Sequence, residues 1–305
     1  MSRAALLTAV GLCLVACGPV ARDAAARART RAAELRHQGI DRTYRVHTPP
    51  ALPAAPDLVV VLHGGGGSGE QIEEVTGFSG IADREGFVVV YPDAIANAPR
   101  GFARFWSDGH CCGVAVARGI DDVSFLRRLI DEVGGRYRTA RTFVVGWSNG
   151  GMLAFAAGAR LSDLVSGIAV FGATMHGRPP WRAPRFDVPW PTRPVAVLAA
   201  HGTHDTRVPY EGREDASGVE IPVRQAARFW AVAAKCRARP VRYLERGGVV
   251  ERESYEGCQA PVAVLTLRGW GHDWPGPAYT DDLGANHPLH GFDLAQEIRA
   301  FFARR

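Results

Sequence analysis

The chain has 305 residues, 47% of them apolar and 22% charged, which is ordinary for a globular protein and enough to bury one large core. Its net charge of +5 is carried almost wholly by arginine, Lys235 being the single lysine. Apart from a denser patch at Arg22, Arg27, Arg29, Arg31 and Arg36 the arginines are scattered. No basic stripe is interleaved with aromatics, which argues against a nucleic-acid partner.

The N-terminus reads as an export signal. In MSRAALLTAVGLCLVAC one early basic residue, Arg3, precedes an apolar run too short to span a bilayer. The stretch Leu14-Val15-Ala16-Cys17 resembles a bacterial lipobox, which places a cysteine at the first mature position for lipid attachment. Residues 1–16 are therefore expected to be a lipoprotein-type signal peptide and Cys17 the lipidated residue. The protein is then cell-envelope or extracellular and meets a membrane only through that anchor. No later apolar stretch is long enough for a membrane helix. Residues 17–40, rich in Ala and Arg, read as a tether, and residues 41–305 as one catalytic domain without internal repeats.

From about Arg42 a rhythm of strands and helices begins. TYRVHTP alternates and stops at proline, which predicts an edge strand. DLVVVLHGGGG is a buried strand running into glycines, and GFVVVYPD is another. DDVSFLRRLIDEVGGRY has helical spacing through Val123, Leu126, Leu129, Ile130 and Val133, with Asp121 as its cap and Asp122 as the cap's neighbour. TFVVGWSNGG is a strand meeting a turn, and GMLAFAAGARL continues as a helix of small residues. VSGIAVFGA, PVAVLAAHG and APVAVLTLRG are further apolar strands. Helices are predicted at about 222–235 and 291–303. Continuous apolar strands alternating with helices predict an α/β fold, with a mostly parallel sheet covered by helices on both faces.

Two features carry chemistry. Gly146-Trp147-Ser148-Asn149-Gly150 is a G-x-S-x-G pattern with a strand before it and a helix after it, the setting of a nucleophile elbow. A serine hydroxyl needs a base to take its proton and an acid to orient that base, in the chain order Ser, acid, His. Asp205, after the strand PVAVLAAHG, and His272, after VAVLTLRG, fill those places. His201 and His204 read as loop-shaping residues, and His287 and His290 as peripheral. The oxyanion of an acyl-transfer intermediate needs rigid backbone donors, expected from Asn149 and from the loop LHGGGGSG, Gly65 first and Gly66 second. That loop lacks the lysine of a phosphate-binding loop, and no His or Cys cluster has metal-ligand spacing. Neither a cofactor nor a metal is expected.

In an exported protein the remaining cysteines face an oxidising setting. Cys236 and Cys258 flank a hairpin, VRYLERGGVVERESY, and are expected to pair. Cys111 and Cys112 are left to each other, either closed in a strained ring or reduced.

The stretches YRVHTPP, VVLHGGGGSG, FWSDGHCCG, DDVSFL, VVGWSNGGM, HGTHDTRVPY and GWGHDWPG, in that order, resemble secreted esterases of the polyhydroxybutyrate-depolymerase type, related to feruloyl and acetylxylan esterases. The resemblance covers residues 40 to 303. It implies an α/β-hydrolase with a Ser148–Asp205–His272 triad, no cofactor, and a small-molecule or polymeric ester as substrate. Members often carry a cysteine where Gly65 stands, a change that keeps the backbone donor. Trp106 and Trp274 are expected to line the rim and the acyl pocket. Competing readings are an acyltransferase of the same fold, a serine peptidase, and a non-catalytic ligand-binding lipoprotein. The sequence leaves the oligomeric state open.

Overall fold

The computed structural model describes residues 28–96, 103–177, 187–215, 218–237 and 239–304. The signal peptide, Cys17 and the expected tether as far as residue 27 lie outside them. The sheet is built on six parallel strands: β3 (Leu58–Leu62), β4 (Val88–Pro92), β7 (Thr142–Trp147), β8 (Val165–Phe171), β10 (Ala196–Gly202) and β15 (Val262–Leu267). They lie in the order β4-β3-β7-β8-β10-β15, while the short strands β5 (Ile95–Ala96) and β6 (Arg104–Phe105) form one small sheet and β9 (His176–Gly177), β11 (Arg213–Asp215) and β12 (Gly218–Glu220) another. Antiparallel pairs close both edges, β1 (Thr30–His37) and β2 (Ile40–His47) beside β4, β14 (Val250–Ser254) and β13 (Val241–Glu245) beside β15.

Strand periodicity divides the core. Leu58, Val60 and Leu62 point to one face, Val59 and Val61 to the other, all of them buried. Helices α4 (Asp122–Tyr137), α5 (Asn149–Arg160) and α6 (Val223–Ala233) cover the first face. All five apolar positions expected to anchor α4 are buried there. Helices α1 (Gly69–Thr76), α2 (Phe78–Glu85) and α8 (Leu294–Ala303) cover the second. Because the central strands are parallel, their C-terminal ends share one rim, and the segments carrying Gly64, Ser148, Gly172, Asp205 and His272 all leave the sheet there. No helix among the described residues is long and apolar enough to cross a membrane.

Two expectations need correction. The strand read from TYRVHTP is not an edge, since it pairs with β4 on one side and with Thr30–His37 on the other. Residues 17–40 are accordingly not all tether. The segment TRAAELRH alternates, buries Leu35, and meets its partner through Gln38 (φ 48°) and Gly39 (φ 80°). Two successive positive φ values make a two-residue hairpin turn whose twist suits the strands. A polar composition hid the strand, and Gln-Gly is a quieter turn signal than Asn-Gly.

The hairpin β13–β14 forms as expected, turning at Arg246–Gly248, and Cys236 is bonded to Cys258. The structure also bonds Cys111 to Cys112. The Cys236–Cys258 bond closes a separation of 22 residues, which should stabilise the fold by about 3 kcal/mol in the chain-entropy account. Urea unfolding of the double Cys→Ser variant should show a loss of that size. A change under about 1 kcal/mol would mean that the ends of the hairpin are held by their other contacts alone.

Candidate active site

Ser148 stands between β7 and α5 with φ 54° and ψ −124°. For a residue with a side chain this costs roughly 1–3 kcal/mol and persists only when the surroundings enforce it. The enforcement is visible. The Ser148 N–H donates to the Phe171 carbonyl (2.9 Å), and its own carbonyl accepts from Gly151 and Met152 (2.8 and 3.1 Å). A Cβ on Gly146 would land on the Gly150 carbonyl, and one on Gly150 would strike the Leu62 and His63 carbonyl oxygens. Only glycines let strand and helix cross this closely, so the sequence pattern follows from the geometry of the bend.

The hydroxyl meets a line of polar groups. Ser148 Oγ lies 2.9 Å from His272 Nε2, and His272 Nδ1 lies 2.6 Å from Asp205 Oδ2. An ionised carboxylate only accepts, so Nδ1 carries the proton and Nε2 is free to accept from the serine. Burial pushes the Asp205 carboxyl up. Hydrogen bonds from His201, His272 and the Val208 N–H outweigh it and hold the group well below the usual carboxylate range. The second oxygen, Oδ1, accepts from the N–H groups of Arg207 and Val208, both at 2.9 Å. His201 does more than shape the loop: its Nε2 sits 3.3 Å from Asp205 Oδ2 and 2.8 Å from the Val208 carbonyl. The Trp147 indole N–H donates to the His272 carbonyl (2.8 Å), tying the base's backbone to the elbow. Asp273, Asp281 and Asp282 are exposed, and His272 Nδ1 is engaged by Asp205.

A second network supports the glycine loop. Gly66 donates its N–H to the Arg104 carbonyl (2.7 Å) and Gly67 to the Gly64 carbonyl (3.0 Å), which leaves Gly65 as the loop's candidate oxyanion donor. A Cβ on Gly65 would come within 2.9 Å of the Phe105 ring, so the space that a cysteine would need is filled in this chain. Buried His63 donates through Nδ1 to the Gly64 carbonyl (2.7 Å) and accepts the Ala94 N–H at Nε2 (3.1 Å). Burial lowers it to about 4, so it stays neutral. The Asn149 side chain clamps the Trp106 backbone, accepting its N–H (2.8 Å) and donating to its carbonyl (3.1 Å). The Trp106 indole donates to the His63 carbonyl (3.0 Å). One residue on, the Ser107 N–H donates to Asp122 Oδ2 (2.8 Å), while Asp122 Oδ1 is paired with Arg42 (2.7 Å). Asp121 caps α4 as expected, but Asp122 is more than its neighbour: it is a fully buried carboxylate that anchors this loop.

The expectation for Trp106 and Trp274 is corrected. Both are fully buried and neither lines the cleft, because a large apolar ring gains more by joining the core beneath a site than by standing at its rim. The cleft, about 250 Å³, is lined by Gly64–Gly67, Gln71, Trp147, Ser148, Arg207 and His272. Sequence reasoning missed Trp147, Gln71 and Arg207 as lining residues. Trp147 could have been found as the variable position of G-x-S-x-G, and Arg207 as a neighbour of the acid. Among the described residues no cluster of His, Cys, Asp or Glu could hold a metal ion.

Comparison with known proteins points the same way. A family model described as "Phospholipase/Carboxylesterase" matches residues 121–228, a stretch that holds Ser148 and Asp205 but ends before His272. The chain is 31% identical over 292 residues to "Putative esterase NocK" of Nocardia uniformis subsp. tsuyamanensis, covering 86% of this chain and 78% of that one. It is 29% identical over 230 residues to "Feruloyl esterase B" of Piromyces equi, covering 72% of this chain and 40% of that protein. The fold matches that of an acetyl xylan esterase from Aspergillus awamori with a TM-score of 0.54 at 15% identity, over 79% of this chain and 94% of that one.

The neutral His63 has a measurable consequence. Its pKa is about 4 in the folded chain against the ordinary 6.5, so between those values the unfolded chain binds a proton that the folded chain refuses. The group's contribution is fully present above about pH 6.5 and is lost as the pH falls towards about 4, by up to about 3 kcal/mol. Urea unfolding followed over that range should show a steeper loss in the wild type than in His63→Asn. Equal slopes would place the acid sensitivity elsewhere.

Proposed function

Because the chain belongs to the carboxylesterase family of α/β-hydrolases, we propose that it is a serine esterase that hydrolyses small carboxylic esters through an acyl-enzyme on Ser148. The observation that carries the reading is the unbroken line Ser148 Oγ–His272–Asp205 at the rim of the sheet. Ser148 Oγ attacks the ester carbonyl carbon as His272 Nε2 takes the hydroxyl proton. The carbonyl oxygen becomes an oxyanion, stabilised by the N–H groups of Gly65 and Asn149 and by the positive end of α5. The C–O bond to the alcohol breaks as Nε2 returns its proton to the leaving oxygen. Water then attacks the acyl-enzyme by the same route, giving the carboxylic acid and free Ser148. Asp205 stays ionised throughout and stabilises the imidazolium.

The relatives described as acetylxylan and feruloyl esterases, and the motifs shared with polyhydroxybutyrate depolymerases, support acetyl, feruloyl or hydroxyalkanoate esters as the substrate class. A cleft of about 250 Å³ lies below the roughly 300–1,000 Å³ of drug-sized pockets and favours a short acyl group. We further propose that the protein is exported and anchored by lipid at Cys17, on the strength of the signal-like stretch that ends there.

Ser148→Ala should lower ester turnover by several orders of magnitude, and Asp205→Asn should lower kcat by about 10⁴ with little change in KM. Asp273→Asn should stay within about tenfold of the wild type. The reading fails if Ser148→Ala keeps its activity, or if Asp205→Asn is mild while Asp273→Asn is inactive.

One acyl chain alone holds a protein only marginally at a membrane, so the mature Cys17 should carry more than one. Cys17→Ala should release the protein from the membrane fraction. An unmodified mature N-terminus in intact-mass spectra would refute the anchor.

A further inference from the structure

We propose that the Arg207 guanidinium is a subsite for an anionic group of the substrate. The enzyme would then prefer esters carrying a carboxylate near the scissile bond over neutral esters of the same shape. The inference rests on the esterase reading above and adds to it the chemical class of the ester.

The first observation is position. Arg207 lines the same small cleft as Ser148 and His272, and among the described residues it is the one permanent cation that does so, with no Asp or Glu beside it in the lining. The second is availability. Arg207 is exposed and has no ion-pair partner among the described residues. Arg118 and Arg160 have no ion-pair partner among the described residues either, so what distinguishes Arg207 from them is its place in the catalytic cleft, while other arginines are committed to carboxylates. Arg141 grips Asp57, and Arg127 grips Asp163, each through two hydrogen bonds of 2.7–2.9 Å. Arg42 is buried against Asp122. The third is anchorage. The Arg207 N–H donates to Asp205 Oδ1, the next residue's N–H donates to the same oxygen, and the next residue's carbonyl accepts from His201. The side chain therefore springs from a stem that is fixed relative to the acid and hence to His272.

The field of the cleft has the same sign. The N-terminus of the 12-residue α5 opens there, beside the Gly65 amide of the glycine loop. The Gly65 amide serves the oxyanion that develops during the reaction, whereas Arg207 offers its planar fork of donors to a charge the substrate already bears. A guanidinium matches a carboxylate with two parallel charge-assisted hydrogen bonds. Exposed pairs of this kind are modest in strength and screened by salt, which sets the expected preference at up to about fivefold. The carboxylate can sit on the acyl side or on the alcohol side of the ester, and two pairs of substrates separate these sources.

On the acyl side, monoethyl succinate is compared with the ethyl ester of succinamic acid. On the alcohol side, 3-acetoxypropanoate is compared with 3-acetoxypropanamide. In each pair an amide replaces the carboxylate and the ester is unchanged. The ratio of kcat/KM, anionic over neutral, is measured for the wild type, Arg207→Gln, Arg207→Lys and Arg207→Glu. The wild-type ratio should be about five in one pair, arising mainly in KM and shrinking with added salt. It should fall to about one in Arg207→Gln and below one in Arg207→Glu, and be partly kept in Arg207→Lys. The pair that responds identifies the side of the ester that bears the charge. A wild-type ratio near one in both pairs, or a preference unchanged in Arg207→Gln, overturns the subsite while leaving the esterase reading in place. If the wild type turns over neither the neutral nor the anionic esters, the esterase reading falls and the subsite with it.

Discussion

The backbone of Ser148 is the constraint on which the rest of the site depends. A side chain at φ 54° and ψ −124° is held there because β7 must turn into α5 within one residue. Everything that makes the turn possible also fixes what surrounds it. The glycines at 146 and 150 let the helix start against the carbonyls of the neighbouring strand, β3. That contact brings the first amides of α5 beside the glycine loop leaving β3. The N–H of Ser148 is spent on β8, so the bend is stitched to strands on both sides. The hydroxyl is left as the one group of this residue free to face the cleft.

Two separate supports then aim the partners at that hydroxyl. On the side of β10 and β15, the buried Asp205 has both oxygens occupied and so cannot swing. One oxygen holds the imidazole, the other two backbone amides, and His201 closes the loop from below. On the side of β3, the chain Arg42–Asp122–Ser107–Trp106–Asn149 fixes the side chain of the residue that follows the serine. A buried ion pair adds little net stability by itself, but losing one partner would leave the other charged and dry. Its effect in this place is positional: the carboxylate of Asp122 orders a loop that otherwise has little regular structure. His63 completes that support as a neutral donor–acceptor that bridges the Gly64 carbonyl and the Ala94 N–H.

How much of this was legible in the sequence follows from the range of each interaction. The elbow, the parallel sheet and the order Ser, Asp, His rest on patterns of a few residues, and these stand out in a linear reading. The supports do not. Arg42 and Asp122 lie 80 positions apart, and Trp106 and Asn149 lie 43 apart. Nothing in either segment alone says that they meet. The places of the two tryptophans are not legible because aromatics near a motif suit a rim as well as a floor, and only burial decides between them. The first strand is hidden for the opposite reason: TRAAELRH has a strand's alternation but an Ala- and Arg-rich composition, and a long pairing partner overrides its weak propensity.

The arginine-heavy composition finds its explanation in the same terms. The buried acids Glu251 and Glu253 on β14 are each shared among several guanidinium groups, from Arg224, Arg242 and, for Glu251, Arg268. Arg252 likewise bridges Glu245 and Glu297, joining the edge hairpin to the last helix. A lysine ammonium could reach one carboxylate at each place, whereas a planar fork can bind two at once and is more weakly hydrated when half-buried. The arginines of these networks are matched by acids of the same chain, and the net charge of +5 is what remains beyond such pairs. The paired arginines cross-link strands and helices, and electrostatic recognition falls to those that the fold leaves without an acid, Arg207 in the cleft among them.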